Sequence, residues 1–382
     1  MSIDSGSTKL KLIIMITTRI SNIIAALFLC CGITATLTSC KNGDAEFPDY
    51  EGGTTAYFAY QYPVRTIVLG DDEYDTTGDK AGIFHIKSTF GGSYNGSNGS
   101  ITVAVAPTLC DNLTFEDGTP VKVMPSEYYD LKETTWNYNG TMNGQSEVQL
   151  TEAFFNDPDA VNQTYVIPLV IVSQTGFARI LTGTLKEDGS PIRTDASQWD
   201  VQPMDFVLYC VNFQNKYSGY WLTNGNTSTD NIEKAGNVQI KCRSLKESVY
   251  TVSYQGDYVQ YKRDKNGDIV KDESGNPVTE TVSKMFTADM LLAFNGDIYS
   301  TEDNCTISSL NDGINVTGSG TWTDDGEKKS WGDKDHALME LNYTVNFGQD
   351  ELGNTIQFST HEKLVWYRSG ITKKEFSPIY VK

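Results

Sequence analysis

The sequence predicts an all-β protein: an antiparallel β-sandwich followed by a second antiparallel domain, a barrel or a sandwich. Three observations carry this. Strand-forming aromatics are plentiful, with 21 Tyr and 16 Phe. Glycine is abundant, at 33 residues, and supplies tight turns. The apolar segments are short and alternating, with turn residues between them, and none has the length and 3.6-residue period of an amphipathic helix.

The chain opens with a polar, basic stretch, residues 1–19, in which Met15 offers a second start. An apolar run, Ile20 to Leu37, follows, and then Leu37-Thr38-Ser39-Cys40. This is the layout of a secretory signal ending in a bacterial lipobox. The expectation is that residues 1–39 are removed, that Cys40 is lipidated, and that residues 40–53 form a tether. The acidic stretch Lys41-Asn42-Gly43-Asp44-Ala45-Glu46 resembles the export signal of Bacteroidetes surface lipoproteins. That resemblance implies an outer-membrane lipoprotein facing outward.

Residues 54–188 are assigned to the first domain. Its strands start at Thr54 to Tyr60 and Val64 to Leu69. Gly70-Asp71-Asp72-Glu73-Tyr74-Asp75 is acidic but lacks the alternate ligand spacing of a calcium loop, and reads as a solvated turn. Ile83 to Ser88 is the next strand, and Ile101 to Val105 alternates strictly, as a half-buried strand does. Tyr165 to Val172 is a continuous apolar run, expected in the core, with Pro168 near an edge or bulge.

These residues resemble a known family. Tyr57-Phe58, Met124-Pro125-Ser126-Glu127-Tyr128-Tyr129-Asp130-Leu131 and Tyr165-Val166-Ile167-Pro168-Leu169 are similar to the N-terminal domain of unknown function of Bacteroides surface lipoproteins. A related domain precedes an endo-β-N-acetylglucosaminidase of glycoside hydrolase family 18. The resemblance implies an immunoglobulin-like sandwich and a place beside glycan-uptake machinery. It brings no catalytic residues, and the D-x-x-D-x-D-x-E signature of that hydrolase is absent.

Residues 189–203, with Gly189, Pro191 and Pro203, read as an interdomain linker, and 204–382 as the second domain. Gly219 and Trp221 are similar to the opening of lipocalin-like barrels. The segment Leu364-Val365-Trp366-Tyr367-Arg368-Ser369 resembles the uncharacterised domain that often follows the first. Asp264 to Asp268 and Asp272 to Asn276 are read as two polar hairpin tips, because their glycines sit wrongly for EF-hands.

Charge excludes one class of partner. The net −19 becomes −21 once the +2 of residues 1–39 is removed, and such a surface repels nucleic acid. Membrane contact is expected through the anchor alone. Cys110, Cys210, Cys242 and Cys305 form no C-x-x-C pair, which speaks against zinc and leaves disulfides or buried thiols open. His361-Glu362 begins like a zinc-protease motif, but Val365 stands where the second histidine belongs. No nucleophile elbow, P-loop or dinucleotide fingerprint occurs, so no catalytic, cofactor-binding or metal-ligating residue is assigned.

Trp322 and Trp331 flank a charged turn and are the candidates for stacking on sugar rings. Trp221 and Trp366 read as core, Trp136 as a strand residue in the middle of the first domain, near Tyr138, and Trp199 as a wedge in the linker. The expected function is a non-catalytic surface lipoprotein that binds glycan or assists outer-membrane uptake proteins. The alternatives are an adhesin or pilus-type structural subunit, betrayed by an exposed strand edge, and a carboxylate-based glycosidase.

Overall fold

The computed structural model describes residues 48–227, 233–372 and 374–381. The expected lipidation site Cys40 and the signal segment lie outside the described residues. Tyr50–Lys382 forms one compact unit. Among the described residues, no helix is long and apolar enough to cross a membrane.

The first fourteen strands are β1 (Thr55–Tyr57), β2 (Pro63–Val68), β3 (Ile83–Gly91), β4 (Ser100–Val105), β5 (Leu113–Thr114), β6 (Lys122–Val123), β7 (Tyr129–Leu131), β8 (Thr135–Asn137), β9 (Asn143–Leu150), β10 (Tyr165–Thr175), β11 (Arg179–Ile180), β12 (Thr184–Leu185), β13 (Trp199–Val201) and β14 (Phe206–Gln214). Then come β15 (Gly219–Thr227), β16 (Glu233–Cys242), β17 (Glu247–Tyr261), β18 (Thr279–Phe294), β19 (Glu302–Ser309), β20 (Asn315–Glu327), β21 (His336–Gln349) and β22 (Thr355–Arg368), followed by β23 (Lys374–Glu375) and β24 (Ile379–Tyr380).

Two sheets face each other in the N-terminal half. One has the order β11-β1-β3-β9-β7 and the other β23-β2-β14-β10-β4-β8, with β6 added to β10. The alternation of β3 and β9 sends Phe84, Ile86, Val148 and Leu150 inward, where they meet Ile67, Ile167, Val211 and Phe213 of the opposite sheet. Trp136 lies in strand β8, as expected, and it and Tyr138 are buried in the core. Strand β10 is central, not an edge, but its register with β4 shifts between Ile171 and Ser173, a bulge close to Pro168. Pro168 is accommodated because its carbonyl takes the Ala106 amide just past the last β4 pair, Leu169 with Val105, so its missing N–H falls where that ladder has ended.

The structure moves the expected boundary. Phe206–Gln214 does not open the second domain. It lies inside the sandwich sheet, between β10 and the parallel strand β2. Residues 189–203 are therefore a loop of the sandwich and not an interdomain linker. Arg193 grips the buried Asp205 with two nitrogens, Met204 donates its amide to Leu181, and the indole N–H of Trp199 donates to Ile192. Glycine, proline and charge identify a loop, but they do not say what it joins. The last residues also return, β23 pairing with β2 and β24 with β5.

The second domain is a closed eight-stranded barrel, β15 to β22 in sequential order, with β15 pairing β22. Gly219 opens it at φ 126°, and a Cβ there would come 2.7 Å from the Arg368 carbonyl. Trp221 is fully buried at the closing seam opposite Trp366. Inward residues from all sides fill the interior, among them Ile240, Tyr250, Met290, Leu341 and Leu364. The four cysteines outside the expected signal segment and Cys40 are free thiols.

Strands β17 and β18 run on together past the barrel wall as a two-stranded arm, paired from Glu247↔Ala293 to Tyr261↔Thr279. The hairpin tip between β21 and β22 packs against this arm. Asp350 accepts the amides of Leu352 and Asn354 within its own turn and that of Val259 in β17. Glu351 accepts the amide of Tyr261. The turns at Asp264 and Asp272 have the same internal geometry as the Asp350 turn, with Gly267, Gly275 and Gly353 at φ 83–90°. They are hairpin tips, as expected.

Candidate functional site: the cavity between sandwich and barrel

The true crossing between the domains is Asn215-Lys216-Tyr217-Ser218, all of it buried. Asn215 fastens it. Its Nδ2 donates to the carbonyls of Ser244 and Glu247, and its Oδ1 accepts from the Tyr217 amide and the Ser218 hydroxyl. This segment holds no glycine or proline, which is why loop signals miss it.

Lys216 sits at the centre of the crossing. Its Nζ lies 2.8 Å from Asp303 Oδ2, with both side chains almost wholly buried. It also donates to the carbonyls of Asp297 and Ser300, at 2.7 Å each. The Trp322 ring lies 4.3 Å from the same nitrogen, a cation–π contact. Burial holds the Lys216 amine below its ordinary pKa, against the opposing pull of Asp303. Tyr217 stacks face to face on Phe294 at 3.6 Å and donates its hydroxyl to Asp303 at 2.8 Å.

Tyrosine burial makes one prediction. Burial pushes Tyr62 up to about 12 and raises Tyr217, Tyr250 and Tyr343 as well, the last two additionally because they face Glu362. A raised pKa means that the folded state keeps a proton the unfolded state loses. Stability is therefore full below pH about 10 and falls as pH rises beyond it. Tyrosinate absorbance across an alkaline titration should show a subset of the 21 tyrosines ionising only together with unfolding.

Next to Lys216 lies a cavity of about 210 Å³. The sandwich contributes Leu69, Gly70, Asp71 and Lys80, and the barrel contributes Tyr299, Trp322, Asp324 and Trp366. Tyr299 is 75% exposed, on the loop that Lys216 holds. Asp71 pairs with Lys80 at 3.2 Å. Asp324 is held above the usual carboxylate range, first by burial and then by the neighbouring Asp71 and Asp325. Carboxylate oxygens of these three acids lie within 4.8 Å of one another. The indole N–H of Trp322 is buried and has no hydrogen-bond partner among the described residues.

The two tryptophans singled out from the sequence lie toward this end of the barrel but differ in kind. Trp322 is 3% exposed, so it is not the surface platform expected of it. Strand β20 runs on through Trp322 to Glu327, and its parity places Trp322 with Val316 on the inner face, opposite Met339. It lines the cavity from the barrel interior. Trp331 is 36% exposed and stacks on His336 at 4.1 Å, with its indole N–H donating to the Trp366 carbonyl. His336 stacks in turn toward Trp366, so Trp331 is the outer member of a row that ends at the cavity wall. Sequence reasoning missed Tyr299, Lys216 and the Asp71–Asp324 pair. Asp71 and Asp324 are 253 positions apart, and nothing local in the sequence joins them.

Comparison with known proteins follows this division. Residues 216–370 match a domain of unknown function, DUF5627, which starts at Lys216. Residues 50–178 match a family model described only as an N-terminal domain. No curated protein matches the chain. Among solved structures, a protein of unknown function from Bacteroides ovatus is 30% identical, with a TM-score of 0.67 over 87% of this chain and 100% of that one. A multidomain protein from Bacteroides ovatus that includes DUF1735 is 10% identical, with a TM-score of 0.35 over 82% of this chain and 94% of that one. A candidate carbohydrate-binding protein from the same organism is 14% identical, with a TM-score of 0.25 over 76% and 80% of the two chains. At those two scores neither likeness carries an argument, and none of the three is named as an enzyme. The chain belongs to the family of the first, the Bacteroides ovatus protein of unknown function, which it covers from end to end.

Proposed function

We propose that the protein is a non-catalytic glycan-binding lipoprotein of the outer cell surface, accessory to polysaccharide uptake, and that it takes its ligand at the junction cavity. The observation that carries this is the lining: an exposed Tyr299 ring, paired carboxylates and lysines, and an unpartnered Trp322 indole N–H around one small cavity. Sugars need this combination, a flat apolar face for the ring and charged or polar groups for the hydroxyls. The lipobox at Cys40 and the resemblance to glycan-uptake lipoproteins support the location and the partners.

The test is affinity electrophoresis of the chain from Lys41 onward against a panel of host and plant polysaccharides. Retardation by one glycan is expected, weakened by about tenfold or more in Tyr299→Ala. Trp331→Ala should have a smaller effect, because one face of its ring is already covered by His336. No retardation on any glycan would remove the reading.

A second reading draws on the same place. Asp71 and Asp324 bring carboxylate oxygens within 4.8 Å of each other, a close pair of the kind retaining glycosidases use, and burial holds Asp324 above the usual carboxylate range. Asp71 is already engaged by Lys80, which favours binding over turnover. New reducing ends from a bound glycan, lost in Asp324→Asn, would establish the enzyme instead.

A further inference from the structure

The two edges of the β17–β18 arm are finished differently. On the β17 side the outward amides of Val259 and Tyr261 are taken by the carboxylates of Asp350 and Glu351. On the β18 side, β19 pairs only as far as Met290↔Ser309. Asp289 is the last residue served there, its amide held by Asn311 Oδ1 and its carbonyl by the Leu310 amide. Strand geometry repeats every two residues, so Thr281, Ser283, Met285 and Thr287 point their N–H and C=O groups the same way. No residue pairs with that side of the strand among the described residues. The segment holds no proline, and Met285 stands 62% exposed in it. An edge of this length is a template for another strand.

The side chains say which strand fits. Glu280 and Lys284 lie on one face of β18, and neither forms an ion pair among the described residues. Glu280 takes only the Gln260 amide, and Lys284 lies over the Tyr258 ring. We infer that β18 is a self-association edge, pairing antiparallel with β18 of a second copy in a register centred on Val282. In that register Thr281 and Ser283 exchange backbone hydrogen bonds across the two-fold axis. Each Glu280 faces the Lys284 of the other copy, so two lone charges per chain become two cross-strand pairs. A shift of one residue in the centre places Ser283 on the axis and sets Glu280 against Phe286. A shift of two puts Lys284 against Lys284. The complementarity therefore selects one register. This inference does not depend on the glycan reading.

Sedimentation equilibrium of the chain from Lys41 onward over a concentration series, with enough salt to screen the acidic surface, tests it. A reversible monomer–dimer equilibrium is expected, weak for an edge contact of this size. Ser283→Pro removes an outward N–H while leaving the β17 ladder intact, and should weaken association at least tenfold. Glu280→Lys and Lys284→Glu should each weaken it by roughly ten- to hundredfold, and the double swap should restore it. The swaps lie on an exposed arm, so they decide the matter even where the proline variant folds poorly. A monomer at every concentration overturns the proposal, and so does a dimer indifferent to the swaps. Capture of another protein's strand by a chain that stays monomeric also overturns it.

Discussion

Asp303→Ala lowers the free energy of unfolding by about 3–5 kcal/mol. The carboxylate is buried and anchors three things at once: the Lys216 ammonium, the Tyr217 hydroxyl and, through Lys216, the loop Asp297–Ser300. Removing it leaves a buried ammonium held by the carbonyls of Asp297 and Ser300 and the rings of Trp322 and Tyr217, with no paired carboxylate to balance its charge. Urea unfolding followed by tryptophan fluorescence reads the loss. Lys216→Met alone should cost a similar amount, because it strands the carboxylate instead. The double variant should cost much less than the sum, since an apolar pair of similar volume avoids both penalties. A loss below about 1 kcal/mol for either single variant would show that the pair is solvated in solution.

Glu362→Ala is expected to cost about 3–5 kcal/mol as well, for a different reason. Glu362 lies inside the barrel and accepts from Thr223 Oγ1 at 2.5 Å, Tyr250 Oη at 2.9 Å and Tyr343 Oη at 2.9 Å. Its charge is met there by hydroxyl groups from three strands of the barrel. Truncation opens a cavity and leaves the two phenol hydroxyls without their acceptor. Tyr250→Phe should cost about 1.5–3 kcal/mol, one bond to a charged group, so melting temperatures should rank the wild type above Tyr250→Phe and that above Glu362→Ala. Equal costs for the two substitutions would show that the carboxylate adds nothing beyond a single bond.

The history of Glu362 shows what is legible in a sequence and what is not. Read as text, His361-Glu362 is the start of a failed zinc motif. Read as a strand, it alternates: His361 faces out to Asn342 and Glu362 faces in. Alternation was readable wherever apolar residues marked it, as in β4 and β22, and so the all-β class and the barrel were within reach. Trp322 was open to the same treatment, being six residues from Val316, but Gly318 and Gly320 carry no side chain to mark the inner face between them. The domain boundary was beyond local reading. Phe206–Gln214 is an apolar strand whichever sheet receives it, and only its pairing with β2 and β10 decides. The cavity was harder still, since Asp71, Lys216, Tyr299 and Asp324 come together only once both domains are closed.

The return of the C-terminus has a consequence for how the cavity works. The chain leaves the sandwich at Gln214, beside Val68 of β2, and re-enters it at Lys374, beside Val64 of the same strand. The barrel is thus an insertion held by two stalks rooted on one strand, with Ser369 on the returning stalk bound to Asp72 and to Gln214. A single covalent connection would leave a hinge free to swing. Two connections turn the joint into a bracket, and bending it means breaking the pairing of β2 on one side or the other. A ligand at the junction should therefore meet a pocket of fixed width, as a key meets a lock, and small-angle scattering profiles with and without it should superimpose.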